Sequence, residues 1–155
     1  MIRKATLSDL DRILEIETEC FVDDAQSKRS LKYLILSKHA NFIVYVKNRK
    51  VIAMMILFTR VNSQRLRIYS LAVDPMYQGF GVGKKLLHYS KKYALDFGYD
   101  LITLEVKESN VAAIGLYGAF GFKISGMKFS YYHNNENGIS MYYKVDQNKN
   151  ENFDE

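Results

Sequence analysis

Apolar residues recur along the chain with two spacings, one typical of helices and one typical of strands. Segments with apolar positions three and four residues apart span 10–20, 28–37, 82–97 and 111–119. Strand-like apolar runs span 2–5, 42–46, 51–59, 65–73, 101–106, 122–131 and 139–145. The order is a hairpin, then strand–helix–strand–helix, then two closing strands. It predicts one α/β domain with a mixed, mostly antiparallel sheet flanked by about four helices.

Composition fits one folded domain and excludes several classes of protein. The chain has 155 residues, of which 48% are hydrophobic, so wholesale disorder is excluded. Its single cysteine, Cys20, excludes an internal disulfide and a multi-thiolate zinc site. The three histidines have no ligand-like spacing, so we expect no metal. We assign residues 1–147 to the domain and 148–155 to a polar C-terminal tail.

The formal charge of +5 leaves two interpretations open, an anionic partner or a solvated surface that leans basic. The sequence has no zinc-finger spacing, no RNA-binding aromatic signature and no basic region followed by heptads, so nucleic acid is not the expected partner. No apolar run reaches ~18 residues, and the N-terminus lacks the apolar block of a signal peptide. We therefore expect a cytoplasmic protein with no membrane partner.

Three alternating glycines follow a predicted strand and open a predicted helix, in the segment Gln78-Gly79-Phe80-Gly81-Val82-Gly83. Glycine allows a positive φ and close approach of a ligand, and the helix N-terminus adds partial positive charge. Lys84 and Lys85 are unfavourable in that first turn unless an anion neutralises them. The segment therefore predicts a phosphate site; the alternative is a flexible turn with incidental glycines.

Two common phosphate-binding motifs do not fit this segment. A P-loop would need glycine at Gln78 and a hydroxyl residue at Lys85. The dinucleotide fingerprint would need its third glycine at Lys84 or at Leu86. Both kinds of nucleotide site are excluded.

The spacing Gln78, Gly81, Gly83 after Leu-Ala-Val-Asp-Pro resembles the acetyl-CoA pyrophosphate loop of the GNAT acetyltransferase superfamily. A second block, from Leu104-Glu105-Val106 through Asn110 to Gly121-Phe122, resembles the RimI-like branch of N-terminal (Nα) protein acetyltransferases and its archaeal relatives. The resemblance covers residues 71 to 122 and implies a GNAT-type acyl-CoA N-acyltransferase fold.

The resemblance also implies how acetyl-CoA, the co-substrate, is held. The residues it assigns to the pyrophosphate, the pantetheine arm and the thioester carbonyl are Leu71, Ala72, Val73, Gln78, Gly79, Phe80, Gly81, Val82, Gly83, Lys84 and Asn110. By this resemblance, the backbone amide of Val73 would polarise the thioester carbonyl. Asn110 has an equally good second role as the N-cap of the following helix.

Glu105 and Tyr117 are the implied catalytic pair, with Glu105 as general base, through water, and Tyr117 as general acid. An α-amine has a pKa near ~8, so a modest base is enough, whereas a lysine amine near ~10.4 needs far more help. The alternatives are that Glu105 lies on a polar face of the sheet and that Tyr117 is a core tyrosine.

Acceptor-binding residues follow from the same resemblance. Tyr131 and Tyr132 match a tyrosine pair that lines the peptide site, although both could be ordinary strand aromatics. Phe21 would wall the pocket for the first side chain, but the family's Phe-Pro is replaced here by Phe21-Val22-Asp23-Asp24. Asp23 and Asp24 could instead attract a cationic N-terminus.

The resulting prediction is an N-terminal acetyltransferase that uses direct transfer in a ternary complex. Its partners would be protein or peptide N-termini, with ribosomal proteins and nascent chains as candidates. Cys20 is not expected to carry the acyl group, because it is far from the motifs in sequence and has no His/Asp context. The rivals are a GNAT enzyme acting on polyamines or aminoglycosides, and a non-catalytic module that binds CoA or nucleic acid.

Overall fold

The computed structural model describes residues 1–60 and 62–146. Its strands are β1 (Ile2–Lys4), β2 (Ala40–Lys47), β3 (Lys50–Phe58), β4 (Arg65–Val73), β5 (Leu101–Lys107), β6 (Lys123–Lys128) and β7 (Gly138–Lys144). Its α-helices are α1 (Leu10–Cys20), α2 (Lys28–Leu36), α3 (Val82–Phe97) and α4 (Val111–Phe120). The predicted α/β class, with a mixed sheet and four helices, is confirmed. The proposed boundary after residue 147 and the polar tail 148–155 lie outside the described residues.

One mixed sheet contains all these strands, in the order β1-β2-β3-β4-β5-β7-β6. Only β4 and β5 pair in parallel, from Arg65 opposite Leu101 to Ile68 opposite Leu104. Beyond that point β4 continues to Val73 and β5 to Lys107 without further pairing between them. The two strands therefore part towards their carboxyl ends, and this gap positions the candidate site.

Helices cover the two faces of the sheet unequally. α1 and α2 pack on one face, where buried residues of β2 and β3 such as Phe42 and Met54 meet Ile13 and Leu31. α3 and α4 pack on the other face, over the alternate residues of β5. Because strand side chains alternate, Glu105 lies on the face opposite α3 and α4.

Local backbone preferences explain the ends of several strands. The β2–β3 hairpin turns through Asn48 and Arg49, which both have a positive φ, of 50° and 66°. β6 ends three residues earlier than the sequence pattern predicts, because Ser130 adopts a left-handed conformation with φ of 49°. The N–H of Ser130 then donates to Asn137 Oδ1 at 3.0 Å, which satisfies the turn instead of the strand ladder.

Across residues 1–60 and 62–146, no helix combines the length and hydropathy needed to span a bilayer.

Candidate active site

The glycine loop leads from β4 into α3 with two residues in the left-handed region. Gly79 has φ of 85° and Gly81 has φ of 82°, as expected for alternating glycines that open an anion site. A Cβ at either position would meet no atom within 4 Å, so the loop borders open space. The exposed side chain of Phe80 projects between them.

Unpaired amides line the end of this loop. The first backbone hydrogen bond of α3 runs from the Lys85 N–H to the Gly81 carbonyl at 3.1 Å. The amides of Val82, Gly83 and Lys84 therefore have no partner within the helix. The first turn of α3 carries no acidic residue that would occupy them. Three free donors at a helix N-terminus suit a phosphate group.

Gly83 and Lys85 have roles that the sequence pattern did not predict. Gly83 lies inside the helix, and a Cβ there would come within 3.0 Å of Leu116 Cδ2, so this glycine permits close packing of α3 against α4. The Lys85 amine lies 3.3 Å from the Tyr45 hydroxyl and 5.7 Å from that ring. Of the two lysines, Lys85 is thus held against β2.

The end of β4 offers backbone groups to the gap beside β5. The Asp74 N–H donates to the Ile52 carbonyl at 2.8 Å, which makes these two residues a hydrogen-bonded pair. Because such pairs alternate along an antiparallel ladder, the amides of Val73 and Leu71 point away from β3. Ala72, between them, is buried under α1. Two strand amides are therefore directed at the gap.

The carbonyl of Val73 is already occupied. It accepts from Gln78 Nε2 at 3.0 Å and from the Cys20 thiol at 3.2 Å. Cys20 is thus close to the glycine-loop motif in space, which corrects the expectation drawn from its distance in sequence. Burial and nearby carboxylates raise the pKa of its thiol to about 11, so the thiol is protonated at neutral pH. It acts as a donor to Val73 and is a poor nucleophile.

An ion pair fixes the residue that links β4 to the loop. Asp74 is buried and pairs with the Arg12 guanidinium, and its Oδ1 also accepts from the Met76 N–H at 2.9 Å. Arg12 reaches across from α1 and donates to the Val51 carbonyl at 2.9 Å. Although burial opposes it, these donors lower the pKa of Asp74. The start of the loop is therefore tied to both α1 and β3.

Glu105 is held between two cations on the open face of β5. Its Oε2 lies 3.1 Å from Arg67 Nη2, and its Oε1 lies 2.9 Å from Lys128 Nζ. The carboxylate side chain is 15% exposed, against 37% for Arg67 and 47% for Lys128. The alternative that Glu105 lies on a polar face is correct in its geometry, and it is compatible with a role at a site.

Tyr117 projects from α4 into the opposite core. Its ring packs edge-on against Phe122 at 5.8 Å between centroids. Burial raises the pKa of its phenol to about 12, so the phenol is protonated throughout the neutral range. The alternative of a core tyrosine thus describes its packing correctly.

The tyrosine pair follows β6 and joins Glu105 to the loops around it. Tyr131 and Tyr132 stack edge-to-face with ring centroids 5.0 Å apart. The Tyr131 hydroxyl accepts from Arg67 Nη2 at 3.1 Å. Burial is the largest cause of the raised pKa of Tyr132, followed by the charges of Tyr131, Glu105, Asp24 and Tyr117. Through Arg67, which also contacts Glu105, the tyrosine pair is linked to the candidate base.

The loop between α1 and α2 is tied to the same place. Lys107 Nζ lies 3.0 Å from Asp24 Oδ1 and 5.5 Å from the centre of the Tyr132 ring. Asp24 is therefore neutralised by Lys107, while Asp23 is exposed. Phe21 ends α1 and packs against the core under α1 and α2. Lys107 bridges the two loops that the resemblance assigns to the acceptor.

Asn110 fulfils the capping role that the sequence allowed. Its Oδ1 accepts from the Ala113 N–H at 3.2 Å at the start of α4. This cap fixes the helix that carries Tyr117.

Sequence reasoning missed the deeply buried carboxylate of Glu17 and both cations on Glu105. Glu17 is 1% exposed, and burial raises the pKa of its carboxyl to about 7. A signal was present, since Glu17 falls on the apolar stripe of α1, four residues after Ile13. No local signal identifies Arg67 or Lys128, because their approach to Glu105 depends on strand pairing. In the described part of the chain, no group of three or more potential ligands could hold a metal ion.

The model of the acetyltransferase (GNAT) family matches residues 10–122 of this chain. The chain belongs to this family. It is 30% identical over 131 residues to the N-alpha-acetyltransferase RimI of Mycobacterium tuberculosis. The aligned region covers 82% of this chain and 80% of that protein. This GNAT chain is therefore an acetyltransferase, and the predicted resemblance to the RimI-like branch is confirmed.

Solved structures agree with this fold. The ribosomal-protein-S18-alanine N-acetyltransferase from Escherichia coli superposes with a TM-score of 0.85 and 24% identity. The match covers 99% of this chain and 98% of that protein's chain. The PaiA N-acetyltransferase from Thermoplasma acidophilum, solved in complex with coenzyme A, has a TM-score of 0.77 and 19% identity, over 93% and 98%. A relative with this fold thus binds coenzyme A.

Proposed function

We propose that this chain transfers the acetyl group of acetyl-CoA directly to the α-amino group of protein or peptide N-termini. The supporting observation is the arrangement at the gap between β4 and β5. Glu105 faces the open side with the tyrosine pair, and Tyr117 lies on the α4 side. Two proton-handling groups on opposite faces suit a reaction in which amine and thioester meet within the sheet.

The residues at the glycine loop fit acetyl-CoA. The free amides of Val82, Gly83 and Lys84 would hold its pyrophosphate, and the strand amides of Leu71 and Val73 would bind its pantetheine arm and thioester carbonyl. When bound, acetyl-CoA supplies a thioester whose acyl carbon bonds to the amine nitrogen while its bond to sulfur breaks. The chain's own groups must then accept the protons that the nitrogen releases and stabilise the departing sulfur.

Glu105 is the proposed acceptor of the amine proton, through a water molecule. At pH 7 roughly a tenth of an α-amine with pKa ~8 is already neutral, and the remainder first loses one proton to Glu105. The second proton, which the nitrogen releases as its bond to the acyl carbon forms, leaves through the same water to solvent, and the sulfur departs as the thiolate. Arg67 and Lys128 hold the two carboxylate oxygens and fix their direction.

Tyr117 is the proposed donor to the departing sulfur. Its phenol stays protonated because burial raises its pKa to about 12. A thiol titrates near ~8.5, so complete proton transfer from this phenol is uphill. Tyr117 therefore stabilises the leaving thiolate chiefly through a hydrogen bond.

The relatives support a protein acceptor. One is named an N-alpha-acetyltransferase, and another is named for acetylating an alanine of ribosomal protein S18. Carried to this chain, these names favour α-amines of protein N-termini, including ribosomal proteins, over small-molecule amines.

The test is a turnover assay with acetyl-CoA and matched acceptors. The acceptors are peptides that differ in their first two residues, the same peptides with blocked α-amines and one internal lysine, spermidine, and an aminoglycoside. We expect turnover with free α-amines and none with the blocked peptides. Turnover confined to spermidine or the aminoglycoside would contradict the proposal, and so would binding of acetyl-CoA without turnover of any amine.

A further inference from the structure

The four strands at one end of the sheet order, β4, β5, β7 and β6, carry a net positive charge as large as that of the whole chain. β4, β5, β6 and β7 together contain six cations and a single acid, Glu105. The cations are Arg65, Arg67, Lys107, Lys123, Lys128 and Lys144. Their net charge of +5 equals the formal charge of the whole chain. Positive and negative side chains in the remaining sequence are therefore equal in number.

Strand register places these charges on one face. Arg67 lies opposite Thr103, Thr103 opposite Tyr142, and Tyr142 opposite Lys123. Directly opposed residues share a face, and the same register aligns Lys107 with Lys128 through Gly138 and Arg65 with Lys144 through Leu101. This is the face opposite α3 and α4. We call it the basic face, defined by the six cations above.

On the basic face, the side chains of Arg67 and Lys128 are more exposed to solvent than that of Glu105. Glu105 is 15% exposed and lies beneath Arg67 and Lys128, which are both more exposed. A similar order holds at the edge, where Asp24 is slightly less exposed than Lys107. A molecule that approaches from solvent therefore meets guanidinium and ammonium groups first.

These cations also border the proposed acceptor site. Arg67 donates to the Tyr131 hydroxyl, and Lys128 Nζ lies 5.0 Å from the centre of the Tyr131 ring. A peptide whose amine reaches Glu105 must pass this rim. The second and third residues of such a peptide would then approach these cations.

We propose that the preferred acceptors are N-termini with aspartate or glutamate at the positions directly after the first residue. This inference rests on the proposed function and names the substrate class of the same site. The amine is directed to Glu105, the single acid within these four strands, whereas acidic side chains behind it complement Arg67, Lys107 and Lys128. Lysine or arginine at those positions is repelled, since like charges across an interface disfavour binding.

The first test compares three peptides of equal length that begin Ala-Glu-Glu, Ala-Gln-Gln and Ala-Lys-Lys. We expect kcat/KM for the acidic peptide to exceed that for the lysine peptide by roughly tenfold in low salt. The ratio should shrink towards one in 1 M salt, where the Debye length falls to about 3 Å. Equal values in low salt, or preference for the lysine peptide, would overturn this inference and leave the proposed function intact. Acetylation of none of the three would overturn the proposed function itself.

A second test uses the variant Lys128→Gln, with Lys92→Gln as its matched control. Lys92 is an exposed lysine of α3 paired with Asp96, on the other side of the sheet. The ratio of kcat/KM between the acidic and lysine peptides should fall roughly threefold in Lys128→Gln and stay unchanged in Lys92→Gln. A general loss of activity cancels in this ratio, so an unchanged ratio in both variants would contradict the inference. Competition by a single-stranded RNA, without any peptide preference, would assign the basic face to nucleic acid instead.

Discussion

Gly81→Ala and Gly98→Ala form a matched pair of substitutions at the two ends of α3. Both glycines are left-handed, with φ of 82° and 77°. A Cβ at either position meets no atom within 4 Å. Alanine at either site therefore carries the same backbone strain without a clash, and the free energy of unfolding should fall by about 1–2 kcal/mol in both variants.

The two variants should differ in their binding of coenzyme A. Gly81 precedes the three free amides of α3. An alanine there would relieve its strain by changing φ, and this change would redirect the amides. We expect Kd for coenzyme A to rise at least ~10-fold in Gly81→Ala, which corresponds to about 1.4 kcal/mol. Gly98 is the C-terminal cap of the same helix, so Kd should not change in Gly98→Ala.

Titration calorimetry with coenzyme A and urea unfolding followed by circular dichroism measure the two quantities separately. Equal Kd values in the two variants, at equal loss of stability, would refute the assignment of the glycine loop to the pyrophosphate. If Gly81→Ala destabilises the fold more than Gly98→Ala does, Gly79→Ala provides a second variant, because Gly79 has φ of 85° and an equally open Cβ position.

Three further substitutions test individual side chains. Tyr117→Phe should lower kcat at least ~10-fold with little change in Kd for acetyl-CoA, while the exposed Tyr33→Phe leaves both unchanged; an unchanged kcat would remove Tyr117 from the reaction. Glu105→Gln should lower kcat/KM more at pH 7 than at pH 9, where more of the α-amine is already neutral, so a defect independent of pH would indicate a structural role. The carboxyl of Glu17 has a raised pKa of about 7 in the folded state, so its contribution to stability is full below pH ~4.5 and is lost as the pH rises through 7. Glu17→Gln should therefore stabilise the fold at pH 8 by roughly 2 kcal/mol and little at pH 4, whereas the exposed Glu19→Gln should change neither unfolding free energy.

Local patterns predicted the elements well because their causes are local. Helix α3 runs over the residues that its apolar spacing and Gly98 indicate. The alternation around Glu105 in β5 allowed the polar face as an alternative, and the structure has it there, since side-chain direction in a strand depends only on the parity of the position. The largest misjudgement of length, at β6, came from the left-handed Ser130, which its residue type did not signal.

Contacts within the site were not predictable in the same way. Arg67 and Lys128 reach Glu105 from strands 38 and 23 residues away, and Cys20 reaches Val73 across 53 residues. Each contact depends on which strands or helices become neighbours, and the sequence pattern gives no register between distant elements. The family resemblance supplied Glu105 and Tyr117 as candidates but not the charges around them.

Those charges bear on the kind of amine the site accepts. Arg67 and Lys128 leave Glu105 with a net positive surrounding, which disfavours a bound ammonium relative to the neutral amine, so the amine gives up its proton to Glu105 before it attacks. At pH 7 about a tenth of an α-amine is neutral, against roughly one part in a few thousand of a lysine side chain. A site that admits the neutral form therefore favours N-termini over lysines by the difference in pKa alone. Neutralising Arg67 or Lys128 should consequently increase the relative acetylation of internal lysines, and an unchanged ratio of the two products would show that the selection arises elsewhere.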